Sequence, residues 1–143
     1  MASYDGIWHQ ENFTTSLNLG THFSFRGMGN NELEFANKRQ DASPNFLYVT
    51  TDIKHQQILP LDFRVQARAD GQVSASGLVS NEQFSAGGPL SVRGYHQTQV
   101  LGDDGINLSL EFYTPRLIPI DWEEVQNLRL FAFVDWANVL ISE

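Results

Sequence analysis

The sequence of 143 residues has no cysteine, and it has nine lysines and arginines against 17 aspartates and glutamates. The lack of cysteine excludes disulfides and thiolate metal sites. The formal net charge of −8 argues against a nucleic-acid-binding surface, which needs clustered basic residues. No stretch approaches the roughly 18–20 consecutive apolar residues of a membrane-spanning helix. The first residues also lack the basic start and apolar run of a secretory signal peptide.

Alternation of apolar and polar side chains is the main pattern that is present. Such a period of two is typical of β-strands with two different faces. The alternating segments are residues 13–25, 46–57, 61–73, 106–113 and 128–136. Most exceed the usual strand of about five or six residues. No amphipathic helix is evident, apart from a helical turn predicted at residues 120–127. The sequence therefore predicts an all-β, antiparallel meander of about five long strands.

The connections between these strands differ in length. Residues 27–45 and 74–105 form the two longest, and in a meander both fall at the same end of the sheet. Long loops at one end and shorter turns at the other are typical of outer-membrane β-barrels, whose strands need about 9–11 residues to cross the hydrocarbon. The alternative is a soluble β-sandwich or a lipocalin-like barrel, because strands of those folds also alternate.

A glycine-flanked arginine lies in the longest predicted loop. Arg93 carries a permanent charge and offers five donors in a planar fork, so a shielded position requires a carboxylate partner. Glu111 and Asp135 both lie on the polar faces of their strands, and those strands are consecutive in the meander. The sequence therefore predicts that Arg93 pairs with both carboxylates.

The residues around Arg93 have their own expected roles. Gly94 is expected where a Cβ would be crowded or where φ is positive, and Gly87 and Gly88 are expected to do the same at the entry to the loop. The Tyr95 ring is expected to pack against the wall formed by the strands. The complete loop motif is Val92, Arg93, Gly94 and Tyr95.

Several motifs together resemble the haemolysin-activator family, the outer-membrane transporters of two-partner secretion. The resemblance runs from about residue 6 to 140, and it is strongest where the loop motif combines with its flanking segments. These segments are Glu82-Gln83-Phe84, Gly87-Gly88, Gly102-Asp103-Asp104-Gly105, Leu108-Ser109-Leu110-Glu111 and Phe133-Val134-Asp135.

The resemblance implies a fold larger than this chain. It implies a transmembrane β-barrel of sixteen strands, preceded by two periplasmic domains, with the loop at about residues 74–105 folded into the lumen. The strands here resemble the ninth to the thirteenth. The periplasmic domains, the first eight strands and the last three strands have no counterpart in residues 1–143. Five strands cannot close a barrel, so the chain is expected to be a partial barrel.

The resemblance also implies a function. It implies a transporter of the bacterial outer membrane that secretes and activates a partner exoprotein, a haemolysin or an adhesin, through its lumen. The expected partners are that polypeptide and outer-membrane lipid, with no nucleic acid, small-molecule substrate, cofactor or metal, and no enzymatic activity. Two alternatives remain open: an outer-membrane assembly factor of the same superfamily, and a soluble β-sheet binding module.

Asp103-Asp104 is interpreted as a polar turn, since it lacks the ligand array of a calcium loop.

Overall fold

A computed structural model describes residues 1–24, 45–117 and 128–142. Six long strands form one antiparallel sheet in the order β1-β2-β3-β4-β7-β8, and two short strands form a separate hairpin. The strands are β1 (Ala2–Gln10), β2 (Phe13–Ser24), β3 (Phe46–Ile58), β4 (Arg64–Ser74), β5 (Phe84–Ala86), β6 (Val100–Gly102), β7 (Asp104–Tyr113) and β8 (Phe131–Leu140). A 3-10 turn at Pro60–Asp62 joins β3 to β4. Within the described ranges, no helix is both long enough and apolar enough to cross a membrane.

The predicted all-β class and antiparallel meander are confirmed, while several strand bounds differ. The strand predicted from residue 61 begins at Arg64, because Leu61 and Asp62 adopt left-handed φ angles of 64° and 62° in the turn. The strand predicted at 128–136 instead runs from Phe131 to Leu140. The helical turn expected at 120–127 lies outside the described residues.

The sequence analysis missed the first strand, β1, which pairs along its whole length with β2. Its alternation is broken at two adjacent positions, since Gly6 stands on the apolar face and Ile7 on the polar one. The ring of Trp8 covers the space above Gly6, where an added Cβ would lie 2.8 Å from the ring. An aromatic neighbour that shields a strand glycine in this way restores apolar cover that the sequence pattern does not show.

One face of the sheet is apolar and open. The register places Leu17, Ile53, Ala69, Leu108 and Trp136 side by side in a row across five strands. Ile53, Leu108 and Trp136 are 40%, 39% and 52% exposed. Such a continuous exposed apolar surface marks contact with a membrane or another protein.

The opposite face is polar, and the connection between β4 and β7 folds back over it. The hairpin of β5 and β6 lies against β7 and β8, and it covers polar side chains of the sheet. Gln72 and Asn107 are 7% and 4% exposed, and Asn107 donates hydrogen bonds to Asp70 at 2.9 Å and to the Ser85 carbonyl at 3.4 Å. The loop therefore packs on the polar face and leaves the apolar face free.

A cysteine pair tests the pairing of β4 with β7 across this long connection. Ala69 and Leu108 are directly opposite and point to the same face, so Ala69→Cys with Leu108→Cys should form a disulfide on mild oxidation. Directly opposed residues fall within the Cα separation of about 4.4–6.8 Å that a disulfide needs. The sequence has no cysteine, so no other thiol of the chain reacts in a thiol-blocking gel-shift assay.

The matched control pairs Ala69→Cys with Asn107→Cys. Asn107 is the neighbour of Leu108 but points to the polar face, so its Cβ faces away from position 69. Equal cross-linking of the two pairs would contradict the register.

Candidate functional site

The tip of the loop between β5 and β6 is a compact turn held by its own hydrogen bonds. The Gly87 amide donates to the Ser91 hydroxyl at 2.8 Å, and the Thr98 amide donates to the Gly87 carbonyl at 3.3 Å. Gly87, Gly88 and Gly94 have φ angles of 109°, 100° and 92°. These angles are accessible to glycine and costly for other residues. An added Cβ at Gly87 would also lie 2.3 Å from the His96 carbonyl oxygen, whereas the space beside Gly94 is open.

Arg93 at this tip is bound by Asp135 of β8 through three donors. Its Nε and Nη2 donate to Asp135 Oδ2 and Oδ1 at 2.8 and 2.7 Å, and its backbone amide donates to Oδ2 at 3.0 Å. The two guanidinium contacts make a bidentate, charge-assisted pair, the strong geometry for arginine and carboxylate. The Asp135 side chain is 3% exposed, so the pair is shielded from water.

Glu111 and Ser109 of β7 hold the other edge of the guanidinium. Arg93 Nη1 donates to Glu111 Oε1, and Nη2 donates to the Ser109 hydroxyl at 3.0 Å. Ser109 in turn donates to Asp135 Oδ1 at 2.7 Å, and the Tyr113 hydroxyl donates to Glu111 Oε2. Each carboxylate therefore has a further donor besides the arginine, which offsets the repulsion between the two acids.

The ring of Phe133 lies under the guanidinium, with the Arg93 Cζ 3.7 Å from the ring centroid. A cation over an aromatic face at this distance is attracted by the ring quadrupole. Hydrogen bonding to Asp135 raises the pKa of Arg93 further above its usual range, so the guanidinium stays charged at every physiological pH.

Sequence reasoning named Arg93, Glu111 and Asp135, and the structure brings these three together. It missed Ser109, Phe133 and Tyr113. Parity already placed Ser109 and Tyr113 on the face of Glu111, and Phe133 precedes Asp135 by two residues on the same face. The missing information was the register, which sets Ser109 opposite Asp135 and Glu111 opposite Phe133.

The remaining motif residues contribute less to the contact with the wall. The Val92 carbonyl accepts a hydrogen bond from the Gly88 amide at 3.2 Å, which is internal to the tip. Tyr95 is 61% exposed, so most of its surface is not packed against the strands, contrary to the expectation from the sequence. A second contact joins tip and wall, since Arg68 Nη1 donates to the Leu90 carbonyl at 2.7 Å.

We call this cluster around Arg93, Glu111 and Asp135 the latch. It contains one permanent cation and two carboxylates, and it joins a loop tip to two adjacent strands. In the part of the chain that the structure describes, no group of three or more histidine or acidic side chains could hold a metal ion. The arrangement fixes the position of the loop on the polar face of the sheet.

The sequence model of the haemolysin secretion/activation protein ShlB/FhaC/HecB matches residues 6–141 of this chain. The chain belongs to this family. Family members are two-partner secretion transporters of the outer membrane of Gram-negative bacteria. The family and the outer-membrane location predicted from the sequence are therefore confirmed.

A named relative supports the same family assignment. The heme/hemopexin transporter protein HuxB of Haemophilus influenzae (strain 86-028NP) is 30% identical to it over 111 residues. This alignment covers 76% of the chain and 20% of HuxB. The chain thus spans a minor part of the length of that transporter.

Unequal effects of the two carboxylates are expected from their contacts with Arg93. Asp135→Asn removes the charge that binds three arginine donors, and breaking such a buried pair costs about 3–5 kcal/mol. Glu111→Gln removes the charge of a side chain that accepts from one arginine donor and is 18% exposed, and it should cost about 1 kcal/mol. Hydrogen–deuterium exchange of peptides covering residues 87–99, measured on the full-length transporter, should accelerate strongly in Asp135→Asn and weakly in Glu111→Gln.

The exchange rate of the Arg93 backbone amide is the most direct measurement, because this amide donates to Asp135 itself. Faster exchange of this amide in Glu111→Gln than in Asp135→Asn would contradict the assigned order of the two contacts.

Proposed function

We propose that this chain forms part of the wall and the inward-folded loop of an outer-membrane transporter that secretes and activates a partner exoprotein. The observation that carries the proposal is the attachment of the loop, through Arg93, to Glu111 and Asp135 on the polar face of a sheet whose other face is apolar. A wall with lipid on one side and a polar lumen on the other requires this division.

The open edges of the sheet support the view that the chain is a segment of a larger barrel. Among the described residues, β1 pairs only with β2, and β8 pairs only with β7. Unpaired main-chain groups of an edge strand are not tolerated in hydrocarbon, and barrels close with eight or more strands. If β2 to β4, β7 and β8 correspond to strands nine to thirteen of a sixteen-stranded barrel, β1 corresponds to the eighth.

The substrate in this proposal is a polypeptide. The polar face carries charged side chains of both signs next to one another, such as Lys54 3.1 Å from Asp52 and Arg68 3.2 Å from Asp70. Paired charges of this kind solvate a passing chain without presenting a single-sign field. In this proposal the protein has no catalytic activity and no cofactor. It binds neither nucleic acid nor a small molecule.

Two other functions fit the observations less well. A soluble β-sheet binding module would bury its apolar face, whereas Leu108, Val134 and Trp136 are 39%, 64% and 52% exposed. An outer-membrane assembly factor of the same superfamily shares the barrel. The family model and the similarity to a named transporter favour secretion of a partner.

Arg93→Ala in the full-length transporter tests the function. We expect the barrel to insert and to keep its heat-modifiable mobility in gels, because the strands remain paired. Secretion of the partner should fall by about tenfold or more, since a loss of even ~1.4 kcal/mol in loop positioning is a tenfold change in population. The measurement is the amount of partner in the culture medium relative to the amount of folded transporter.

Arg129→Ala is the matched control. Arg129 also forms an ion pair, with Asp62 at 2.7 Å, but it lies at the end of the sheet away from the loop root, and its hydrogen bonds go to Asp62 and Thr114 rather than to Glu111 or Asp135. We expect this variant to secrete normally. Undiminished export by Arg93→Ala would reject the role of the anchored loop, and absence of export by the wild-type transporter would sink the proposed function as a whole.

A further inference from the structure

The segment Gly102-Asp103-Asp104-Gly105 connects β6 to β7, at the root of the loop. Sequence analysis interpreted it as a polar turn. Asp103 does lie in a bend between the two strands, but its side chain is completely buried, which the sequence did not indicate. A fully buried aspartate is unusual, and it persists where its carboxylate is well supplied with hydrogen-bond donors.

The Asp103 carboxylate accepts hydrogen bonds from three residues in two separate parts of the chain. Its Oδ1 accepts from the Leu78 amide at 2.8 Å and from the Gln83 side-chain amide at 3.2 Å, both in the segment that enters the loop. Its Oδ2 accepts from the Ser142 amide at 3.0 Å, just after β8. The carboxylate therefore joins the beginning of the loop to the end of the strand that carries Asp135.

The backbone of Asp103 and the side chain of its neighbour extend this connection. The Asp103 amide donates to the Leu140 carbonyl at 2.9 Å, and its own carbonyl accepts from the Gln72 side chain at 3.2 Å. Asp104 accepts from the Ser74 amide at 2.6 Å. The end of β4, the root of the loop and the end of β8 are thus held together.

The flanking glycines show how closely these parts approach. An added Cβ at Gly102 would lie 2.4 Å from the Leu140 carbonyl oxygen, and one at Gly105 would lie 2.1 Å from the Phe84 ring. Phe84 begins β5 and pairs with Gly102 at the end of β6. Both arms of the hairpin are therefore fixed at the same point, and the tip that carries Arg93 projects from this fixed root.

We propose that Asp103 is a positioning residue that holds the root of the loop so that Arg93 reaches Asp135 and Glu111. The inference rests on the proposed function and adds to it a residue outside the latch. A bidentate guanidinium contact demands correct placement of the tip. The root is hydrogen-bonded to the end of β8. This attachment sets the distance from the tip of the loop to Asp135, which lies on the same strand.

Asp103→Asn in the full-length transporter tests the inference. Asparagine has the same size, but its amide group places a donor where the carboxylate accepted from backbone and side-chain amides. We expect secretion relative to folded transporter to fall by about tenfold, given the cost of unsatisfied buried donors. In an Arg93→Ala background the same substitution should cause no further loss, because there is no longer a latch to position.

Three results would overturn the inference. One is normal secretion by Asp103→Asn, equal to that of the control Asp62→Asn in the turn at the other end of the sheet. Another is an equal further loss in the Arg93→Ala background, which would indicate a general role in stability. If Asp103→Asn does not fold, Gln83→Met removes one donor to Asp103 and leaves every strand of the main sheet unchanged. Normal secretion by a folded Gln83→Met would then reject the inference.

Failure of the inference and failure of the proposed function give different results. If the wild-type transporter exports no partner, the function itself is wrong, and if Arg93→Ala secretes normally, the role of the anchored loop is wrong. If Arg93→Ala loses secretion while folded Asp103→Asn retains it, the function stands and the positioning role alone is rejected.

Discussion

The pairing of one guanidinium with two carboxylates on neighbouring strands is the interaction on which the arrangement of this molecule depends. Arg93 lies in the middle of the connection between β4 and β7, and Glu111 and Asp135 lie on β7 and β8. Three separate segments must therefore be in place before the cluster exists. A slip of one residue in either strand would turn its carboxylate to the apolar face. The latch, the register and the polarity of the two faces consequently depend on one another.

The loop is attached to the sheet at points of different strength. The root is held by the buried carboxylate of Asp103, and the tip is held by Arg93 and its four side-chain hydrogen bonds. On the side of β4, a single hydrogen bond from Arg68 to the Leu90 carbonyl joins the tip to the wall. Arg68 also lies beside Asp52 and Asp70, which compete for its donors. The edge of the tip that faces β4 is therefore held more weakly than the edge that faces β8.

Particular residues show how far sequence reasoning reached. The period of two fixed the face of Glu111 and Asp135, and their consecutive strands fixed their adjacency, so that Arg93 could be matched to both. Ser109 and Phe133 required the register between β7 and β8, which the side-chain period leaves open. β1 was missed because Gly6 and Ile7 interrupt the alternation, and the packing that compensates comes from Trp8. Alternation alone predicted that β4 begins at residue 61, whereas the turn at Pro60–Asp62 delays its start to Arg64.

The sequence by itself determined the fold class, the two faces of the sheet and the charge that the loop must neutralise, because side-chain period and ionisation are local properties of the chain. Tertiary structure decided the register, the partners of each donor and the burial of Asp103. Gly-Asp-Asp-Gly has the local composition of an exposed turn. Its burial arises from contacts with Leu78, Gln83 and Ser142, which lie about 20 to 40 residues away along the chain. No local pattern carries that information, because it exists only once the loop has folded back onto the sheet.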